Sequence, residues 1–438
     1  MLTCRSAKLR QVSPLNKHFV QSIRSIVSAL HTSGGKPNAA VSILTPSLTH
    51  IDTLIRNKPK LVHMLEARKM PFDVDSFVHA WDEMNRLRTI REDLETKRNT
   101  VTDCIKLIVK NKNRGGDSQL DFEELKEQGK QLRVELKKLS ARWWTIEEKA
   151  VTAALSLPNY LHARTPSENH LIESHRPFPE AVESHCNNEN IKFSSVSPTA
   201  YYLRGPLAHL ELDWIQSFSQ AFVQHNAFHL ITGADFVKSV IVDGCGLEFN
   251  DPEITLCLTG SQDSGNLHLV GGGSLASVAA FLTKNSIETP FPMRLLSIGR
   301  QYQPPPATND NKSLGLFNAT QSSAIQLLTA MENHPENLYE ESQRISSTIT
   351  NQLVELNVHF RVVNLAAGRL ERWEQYRCSF QMYSSTLKDY VEVASVSIVG
   401  DFISRRLAIY GPQRTFPGFV TSKALCVSKL LAAYLENQ

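Results

Sequence analysis

The stretch FDVDSFVHAWDEMNRLRTIREDLETKRNTVTDCIKLIVKNKNRGGDSQLDFEELKEQGKQLRVELKKLSARWWTIEEKAVTAALSL, residues 72–157, contains no proline and carries two heptad registers. Ala80, Leu87, Leu94, Val101 and Ile108 recur every seven residues, with Phe77, Met84 and Ile105 on the adjoining row. After a break, Leu125, Leu132, Leu139, Ile146 and Ala153 do the same, beside Leu136, Trp143 and Ala150. Paired apolar rows sustained over several heptads bury one seam of a helix against a second helix. The break reads Asn113-Arg114-Gly115-Gly116-Asp117, with glycine to stop the first helix and aspartate to cap the next. So short a connection makes the helices antiparallel neighbours. A helix of about forty residues reaches roughly 60 Å, too far to fold back over a globule, so the hairpin projects as an arm.

Charges on the arm fall into two groups. Lys106, Lys110, Lys112 and Arg114 close the first helix, and Asp117, Asp121, Glu123, Glu124 and Glu127 open the second. These complement the helix dipoles. The dipole decays within a turn and does not account for Lys126, Lys130, Arg133 and Lys137, which form one stripe along the second helix. Lys138 and Arg142 lie beside the stripe, and antiparallel pairing sets Lys97 and Arg98 opposite it. Such a stripe suits a phosphate backbone, each contact adding salt-sensitive affinity; it equally suits a solvated coiled-coil face.

Outward from the arm the charge is uneven. The 438 residues have a formal charge of +3, but residues 1–71 hold eleven basic and two acidic residues, residues 72–157 hold sixteen of each, and residues 158–438 hold twenty basic and twenty-six acidic. Before Asp52, the first acid, Arg5, Lys8, Arg10, Lys17, Arg24 and Lys36 alternate with Ser, Thr and spaced aliphatics. That composition reads as a mitochondrial transit peptide over residues 1–35, cleaved near Leu30–Gly35, ahead of an N-terminal segment 36–71. No apolar run is long enough to span a membrane. Seven scattered cysteines show no CxxC pair and the histidines no ligand spacing, so neither a disulfide framework nor a metal site is expected.

Leu157-Pro158-Asn159 ends the arm. A Pro- and His-containing linker, 158–197, leads into residues 198–438. Segments such as Ser239–Val242 and Tyr390–Val399 read as β-rich there, between helical ones. The expected class is α+β on an antiparallel sheet. Several strings in this part and before it resemble the seryl-tRNA synthetase family. Ile55-Arg56-Asn57-Lys58-Pro59, the hairpin and Leu-Pro-Asn at its exit look like the family's front half. YYLRGPLAHLELDWIQSF (201–218) resembles its dimer-forming first motif, EVASVSIVGDFISRRL (392–407) its EVSSCSN..DFQxRRL segment, and LLAAYLEN (430–437) its closing helix. The order holds over about residues 50–438. The resemblance implies a class II synthetase-like antiparallel sheet, a helical arm that grips serine tRNA, and a dimer bridged by tRNA. In the family, ATP and serine form an adenylate and serine then passes to tRNA.

Adenylation needs cations on the triphosphate and carboxylates for magnesium and the amino acid's ammonium. At those positions this chain departs from the family pattern. Gly272-Gly273-Ser274 stands for Thr-x-Glu, and Gly271–Gly273 lacks the GK[ST] of a phosphate loop. Arg300 matches the second motif's first arginine, but Arg-x-Glu reads Arg300-Gln301-Tyr302, followed by Pro304-Pro305-Pro306. In GLFNATQSSAIQ (315–326), Asn318 replaces an arginine, Thr320 a histidine, Ser322 a phenylalanine and Gln326 a glutamate. Ser379 and Gln381 stand for Asp-x-Glu, Glu392 and Ser395 survive, and Gly-Arg becomes Ser428-Lys429. Lys429 keeps a charge without the planar fork of arginine. Each lost charge-assisted contact costs on the order of 1.5–3 kcal/mol.

The expectation is a catalytically inactive paralogue of mitochondrial seryl-tRNA synthetase, with no cofactor. It would bind serine tRNA through the arm in the mitochondrial matrix. It would pair with the active mitochondrial enzyme as a heterodimer, or with itself, in mitochondrial translation. An amino-acid ligase with a rewired pocket and a coiled-coil protein scaffold are the alternatives.

Overall fold

The computed structural model describes residues 28–31, 44, 46–112, 119–176, 189–194, 200–258, 267–288, 290–304 and 315–437. Most of the 1–35 leader, the Asn113–Asp117 break, Cys4, Cys186, Pro305 and Pro306 lie outside the described residues.

Two short helices, α1 (Thr49–Arg56) and α2 (Lys58–Ala67), precede the arm. Pro59 sits in the first turn of α2, where its missing N–H has no intrahelical acceptor to lose. The arm is α3 (Val74–Lys112) and α4 (Gln119–Ser156), 39 and 38 residues long. The heptad rows form its seam: Phe77, Ala80, Met84, Leu87, Leu136 and Ala150 are buried, and Leu94, Val101, Leu125 and Leu132 half-buried. The antiparallel register is set by Gly129 against Val101, by Arg142 donating to Glu83 at 2.6 Å, and by the Arg91 guanidinium 4.2 Å over the Trp143 ring.

The core follows as β1 (His170–His175), β2 (Ile191–Phe193), β3 (Tyr201–Leu203), α5 (Pro206–Asn226), β4 (His229–Ile231), β5 (Phe236–Lys238), α6 (Ser239–Gly244), β6 (Leu256–Leu258), β7 (Leu267–Leu269), α7 (Leu275–Leu282) and β8 (Met293–Tyr302). It continues with β9 (Gln321–Met331), α8 (Pro335–Glu355), β10 (Phe360–Asn364), β11 (Tyr376–Ser384), β12 (Asp389–Gly400), α9 (Phe402–Arg406), β13 (Gly418–Cys426) and α10 (Val427–Glu436). Eight strands form one sheet, ordered β1-β10-β11-β12-β13-β9-β8-β4, antiparallel except where β4 runs parallel to β8. This is the α+β architecture expected.

The sheet has two unlike faces. Cys378, Phe380 and Met382 of β11, Ala394, Val396 and Ile398 of β12, and Ile325 and Leu327 of β9 share a largely apolar face, with Ser422 of β13 between Val396 and Leu327. Helices α5, α8 and α10 cover it. Leu338, Ile345, Ile349 and Leu353 recur on one side of α8, and Trp214, Phe218 and Phe222 on one side of α5, so each helix buries a single stripe. The other face is apolar only toward one end, where Leu295, Leu328, Ala330, Val399 and Phe419 join a second core with α1, α2, α6, α7, α9 and the arm root.

Two local readings change. Residues 158–197, taken as linker, supply β1, which pairs with β10 as the edge of the large sheet, and β2, which pairs with β3. Exposed strand edges alternate weakly in hydrophobicity, and His170–His175 has no such signal to read. Ser239–Val242, read as β-rich, opens α6 instead. Val240, Ile241 and Val242 are all buried, and burial on every side removes the periodicity that separates strand from helix.

The arm root is held by buried cations on backbone carbonyls. Arg406 donates to the Leu155 carbonyl at 2.9 Å, and to the Asp243 carbonyl and Oδ1 at 3.0 Å each. Arg68 donates to the carbonyls of Asn159 at 3.0 Å and Glu371 at 3.1 Å, and to that of Glu374. Asn159 donates to the Trp373 and Val399 carbonyls at 2.8 and 2.6 Å. An Arg406→Leu variant leaves Asp243 short of its closest cation. It is expected to lose about 3–5 kcal/mol in urea unfolding, against about 2–5 kcal/mol for the seam cavity of Leu87→Ala.

Candidate functional site

Where the second face of the sheet is not apolar, it carries a polar row. Register pairs Ser379 with Ser395, Ser395 with Lys423, Lys423 with Gln326 and Gln326 with Ser297, so five side chains from β11, β12, β13, β9 and β8 line up on one face. A register shift beside Phe380 sets Glu392 opposite Gln381 at the end of this row. The surviving and substituted residues singled out from the sequence thus converge here, with Gln381, Glu392 and Ser395 together and Lys429 at the start of α10 close enough to act on Glu392.

The polar groups satisfy one another. Arg377 donates to Glu392 through Nε at 3.1 Å and through Nη2, and to Glu374 through Nη1 at 3.0 Å. The Ser379 hydroxyl donates to Glu392 at 2.7 Å, and the Ser397 hydroxyl to Glu374 at 2.6 Å. Gln381 accepts from Arg361 at 2.9 Å and donates to Ser379 at 3.1 Å. Burial opposes charge on Glu392, yet Arg377 and the Ser379 hydroxyl hold its carboxyl below the usual carboxylate range. Burial likewise opposes the charge of Arg377, and Glu374 and Glu392 hold it on more firmly than in an exposed arginine. Burial pushes the Lys423 ammonium down. Burial would raise the Cys426 thiol, but Lys429 and Lys423 hold it below its ordinary range. Arg377 is thus ion-paired to both Glu374 and Glu392, with Lys423 and Lys429 near enough to influence the group, while burial pushes the Glu371 carboxyl up.

The remaining pocket residues are also engaged. Arg300 on β8 pairs with Glu211 of α5 at 3.4 Å, and Glu211 accepts a further bond from Ser323. Ser274 is the N-cap of α7: its hydroxyl donates to the Gly271 carbonyl at 2.7 Å and accepts from the Ser277 N–H at 3.3 Å. The glycines before it are structural. Gly271 has φ +87°, and a Cβ there would lie 2.0 Å from the Arg300 carbonyl oxygen, so backbone packs on backbone. Tyr302 ends β8 opposite Gln321, its N–H donating to Val270. Ser322, in the place of a phenylalanine, accepts from the Ser428 N–H at 3.0 Å and ties α10 to β9. Gln326 donates to the Thr421 hydroxyl at 2.7 Å. Asn318 has a buried Nδ2 without a partner among the described residues. Chemically, Arg377, Glu374 and Glu392 neutralise one another, while Lys423, Lys429 and Glu371 lie beside them without an ion pair among the described residues.

The sequence reading missed Arg377, Glu374, Arg361 and Glu211, the residues that do the neutralising. Their partners lie across strands or on another element. Arg377 and Glu392 are fifteen residues apart and Glu211 and Arg300 eighty-nine, so no local spacing marks them.

The arm surface is different. All eight cations of the expected stripe are at the surface, and the structure sorts them. Lys126 and Lys130 pair with Glu123 at 3.5 Å and Glu127 at 3.1 Å, one turn back. Lys97 pairs with Asp93 at 2.8 Å and feels Glu135 across the seam, which confirms that it lies opposite this stretch of α4. Arg142 pairs with Glu83, and Arg98 donates to Asn99 at 3.1 Å. Among the described residues, Arg133, Lys137 and Lys138 have no acidic partner. The stripe thus narrows to these three at mid-helix.

Residues 51–161 match the seryl-tRNA synthetase N-terminal domain. The whole chain is similar to the serine--tRNA synthetase-like protein Slimp of Drosophila melanogaster, 27% identical over 422 residues that cover 94% of this chain and 89% of the relative. It is 23% identical to the mitochondrial serine--tRNA ligase of Bos taurus, over 83% of this chain and 74% of the ligase. In three dimensions it is similar to the seryl-tRNA synthetase of Pyrococcus horikoshii solved with ATP, with a TM-score of 0.72 at 19% identity, covering 88% of this chain and 93% of that one. The chain thus matches the seryl-tRNA synthetase N-terminal domain over α1, α2 and the arm, and its fold as a whole is similar to that of a class II seryl-tRNA synthetase.

Proposed function

We propose that this protein binds tRNA through its arm without charging it, acting in the mitochondrial matrix beside the active seryl-tRNA synthetase. The observation that carries the reading is the trio Arg133, Lys137 and Lys138, grouped on one stretch of α4 without an ion pair among the described residues. A solvated helix gains from pairing its charges one turn apart, as Lys126 and Lys130 do. Three cations so close together, with Glu135 the one acid among them in sequence, create a net positive field suited to phosphates. Serine tRNA is the expected class, from the names of the relatives. Location in mitochondria rests on the basic leader and on the mitochondrial ligases among the relatives.

The pocket supports loss of ligation. Binding ATP would require Arg300 to leave Glu211, and binding an amino acid would require Glu392 to leave Arg377. Either move uncovers a partly buried charge. Exposed apolar groups support a subunit contact: segment 201–218 exposes Tyr202 and Leu212, and Phe193 is exposed on the strand that pairs with β3. The contact fits a heterodimer with the active enzyme or a homodimer.

Filter binding with mitochondrial serine tRNA checks the arm. Binding should weaken steeply with salt, and the triple variant Arg133→Ala/Lys137→Ala/Lys138→Ala should lower affinity by about tenfold or more. Lys126→Ala/Lys130→Ala should do markedly less. Salt-insensitive or absent binding by the parent defeats the reading. ATP–pyrophosphate exchange with serine and with other amino acids should stay at background; turnover with any of them establishes a rewired ligase instead.

Glu392 makes a separate, pH-dependent contribution. Its folded carboxyl titrates below the unfolded value of about 4.3, so the stability it adds is present above that pH and lost as pH falls through the folded value. Urea unfolding between pH 6 and 3 should show Glu392→Gln with a shallower acid loss than the parent. Arg377→Met, which strands Glu374 and Glu392, should cost about 3 kcal/mol at pH 7.

A further inference from the structure

The second oxygen of Asp243 faces the N-terminal segment. Oδ1 is held by Arg406 at 3.0 Å and has Arg372 at 3.9 Å. Oδ2 accepts from the Ser28 hydroxyl at 2.6 Å, the Ala29 N–H at 2.8 Å and the Leu30 N–H at 3.4 Å. The Ser28 hydroxyl also accepts from the Leu30 N–H at 3.2 Å. Ser28, Leu30 and Asp243 are all buried, and Leu30 belongs to the core shared by the arm root and α6. His31 then lies against the arm, its ring held neutral by burial while Glu148 of α4 opposes the shift.

A carboxylate so buried needs all its acceptor capacity met, since an unpartnered buried oxygen carries the full desolvation cost. Two arginines serve one oxygen, and residues 28–30 supply every described donor to the other. The same Arg406 fixes the arm through Leu155, so the segment is joined to the arm's anchor through Asp243.

We infer that Asp243 is a docking site for Ser28–His31, that this segment is a permanent part of the folded protein, and that leader removal therefore stops at or upstream of Ser28. The first two statements rest on the contacts alone, and the third also on the transit-peptide reading. Hydrolysis of the bond before Ser28, or of any earlier one, consumes one water and leaves every donor to Asp243 in place. Hydrolysis between Leu30 and Gly35 separates them from the chain. The expected boundary of the mature protein thus moves upstream of the 1–35 limit read from composition.

Two measurements test this on the full chain. Hydrogen exchange at the α6 amides, residues 239–244, should speed by about tenfold in Ser28→Ala, with exchange in α8 unchanged. Asp243→Glu, which keeps the charge but displaces the oxygens, should do the same. Unchanged exchange at α6 in both overturns the docking. Import of the full chain into isolated mitochondria, followed by mass determination of the N-terminal peptide, should give a first residue at or before Ser28. A first residue beyond Ser28 overturns the inferred boundary. Failure to import at all defeats the transit reading, and the exchange measurement still decides the docking.

Discussion

Everything this molecule does with its arm depends on how a helix pair nearly forty residues long is fixed at one end. A lever of that length amplifies any looseness at its root, and apolar packing alone permits sliding. The root is instead pinned by charge on backbone. The Arg406 guanidinium spans the Leu155 carbonyl, at the last turn of α4, and the carboxylate of Asp243. Helix C-terminal carbonyls carry partial negative charge without an intrahelical donor, so a cation there meets both an electrostatic and a hydrogen-bonding need. Arg68 repeats the device on the Asn159 carbonyl, just beyond the helix. Burial lowers the proton affinity of both arginines to about 10, and they stay charged at neutral pH.

The same physics, applied to the sheet, gives the opposite outcome. On β11 and β12 the buried charges are directed at one another, in a network of Arg377, Glu374, Glu392, Ser379 and Gln381. Such a network stabilises a fold face that would otherwise bury lone charges. Ser274 and Gly271–Gly273 follow the same pattern, serving a helix cap and a close backbone approach where a ligand contact would otherwise be sought.

How far the sequence reveals this depends on the range of each interaction. The arm is legible because its determinants are local and periodic: Leu87 predicts Leu94. The class II sheet is legible through the resemblance of three strings, and β12 coincides with the run read as strand at Tyr390–Val399. Three features are not legible. Strand β1 has no alternation, because its partner β10 supplies the buried side of the pair. Helix α6 has no period, because all its sides are covered. The identity of the free cations on the arm is hidden as well. Lys126, Lys130, Arg133 and Lys137 form one stripe in sequence, and Glu123 and Glu127, one turn before Lys126 and Lys130, pair with those two and leave Arg133 and Lys137.

That separation bears on why the two surfaces can diverge at all. The arm and the polar row are linked through the root, where Arg406 contacts α4 and Arg68 contacts the carbonyls of Glu371 and Glu374, immediately before Arg377. Those contacts reach backbone, not the side chains of the row. Side chains on β11–β13 can therefore exchange ligand-binding groups for internally paired ones without altering what holds the arm. The reverse also holds: Arg133, Lys137 and Lys138 carry no structural partner, so nothing in the fold requires their charge. A surface whose charge the fold does not require is where a binding function is free to reside, whatever becomes of the pocket.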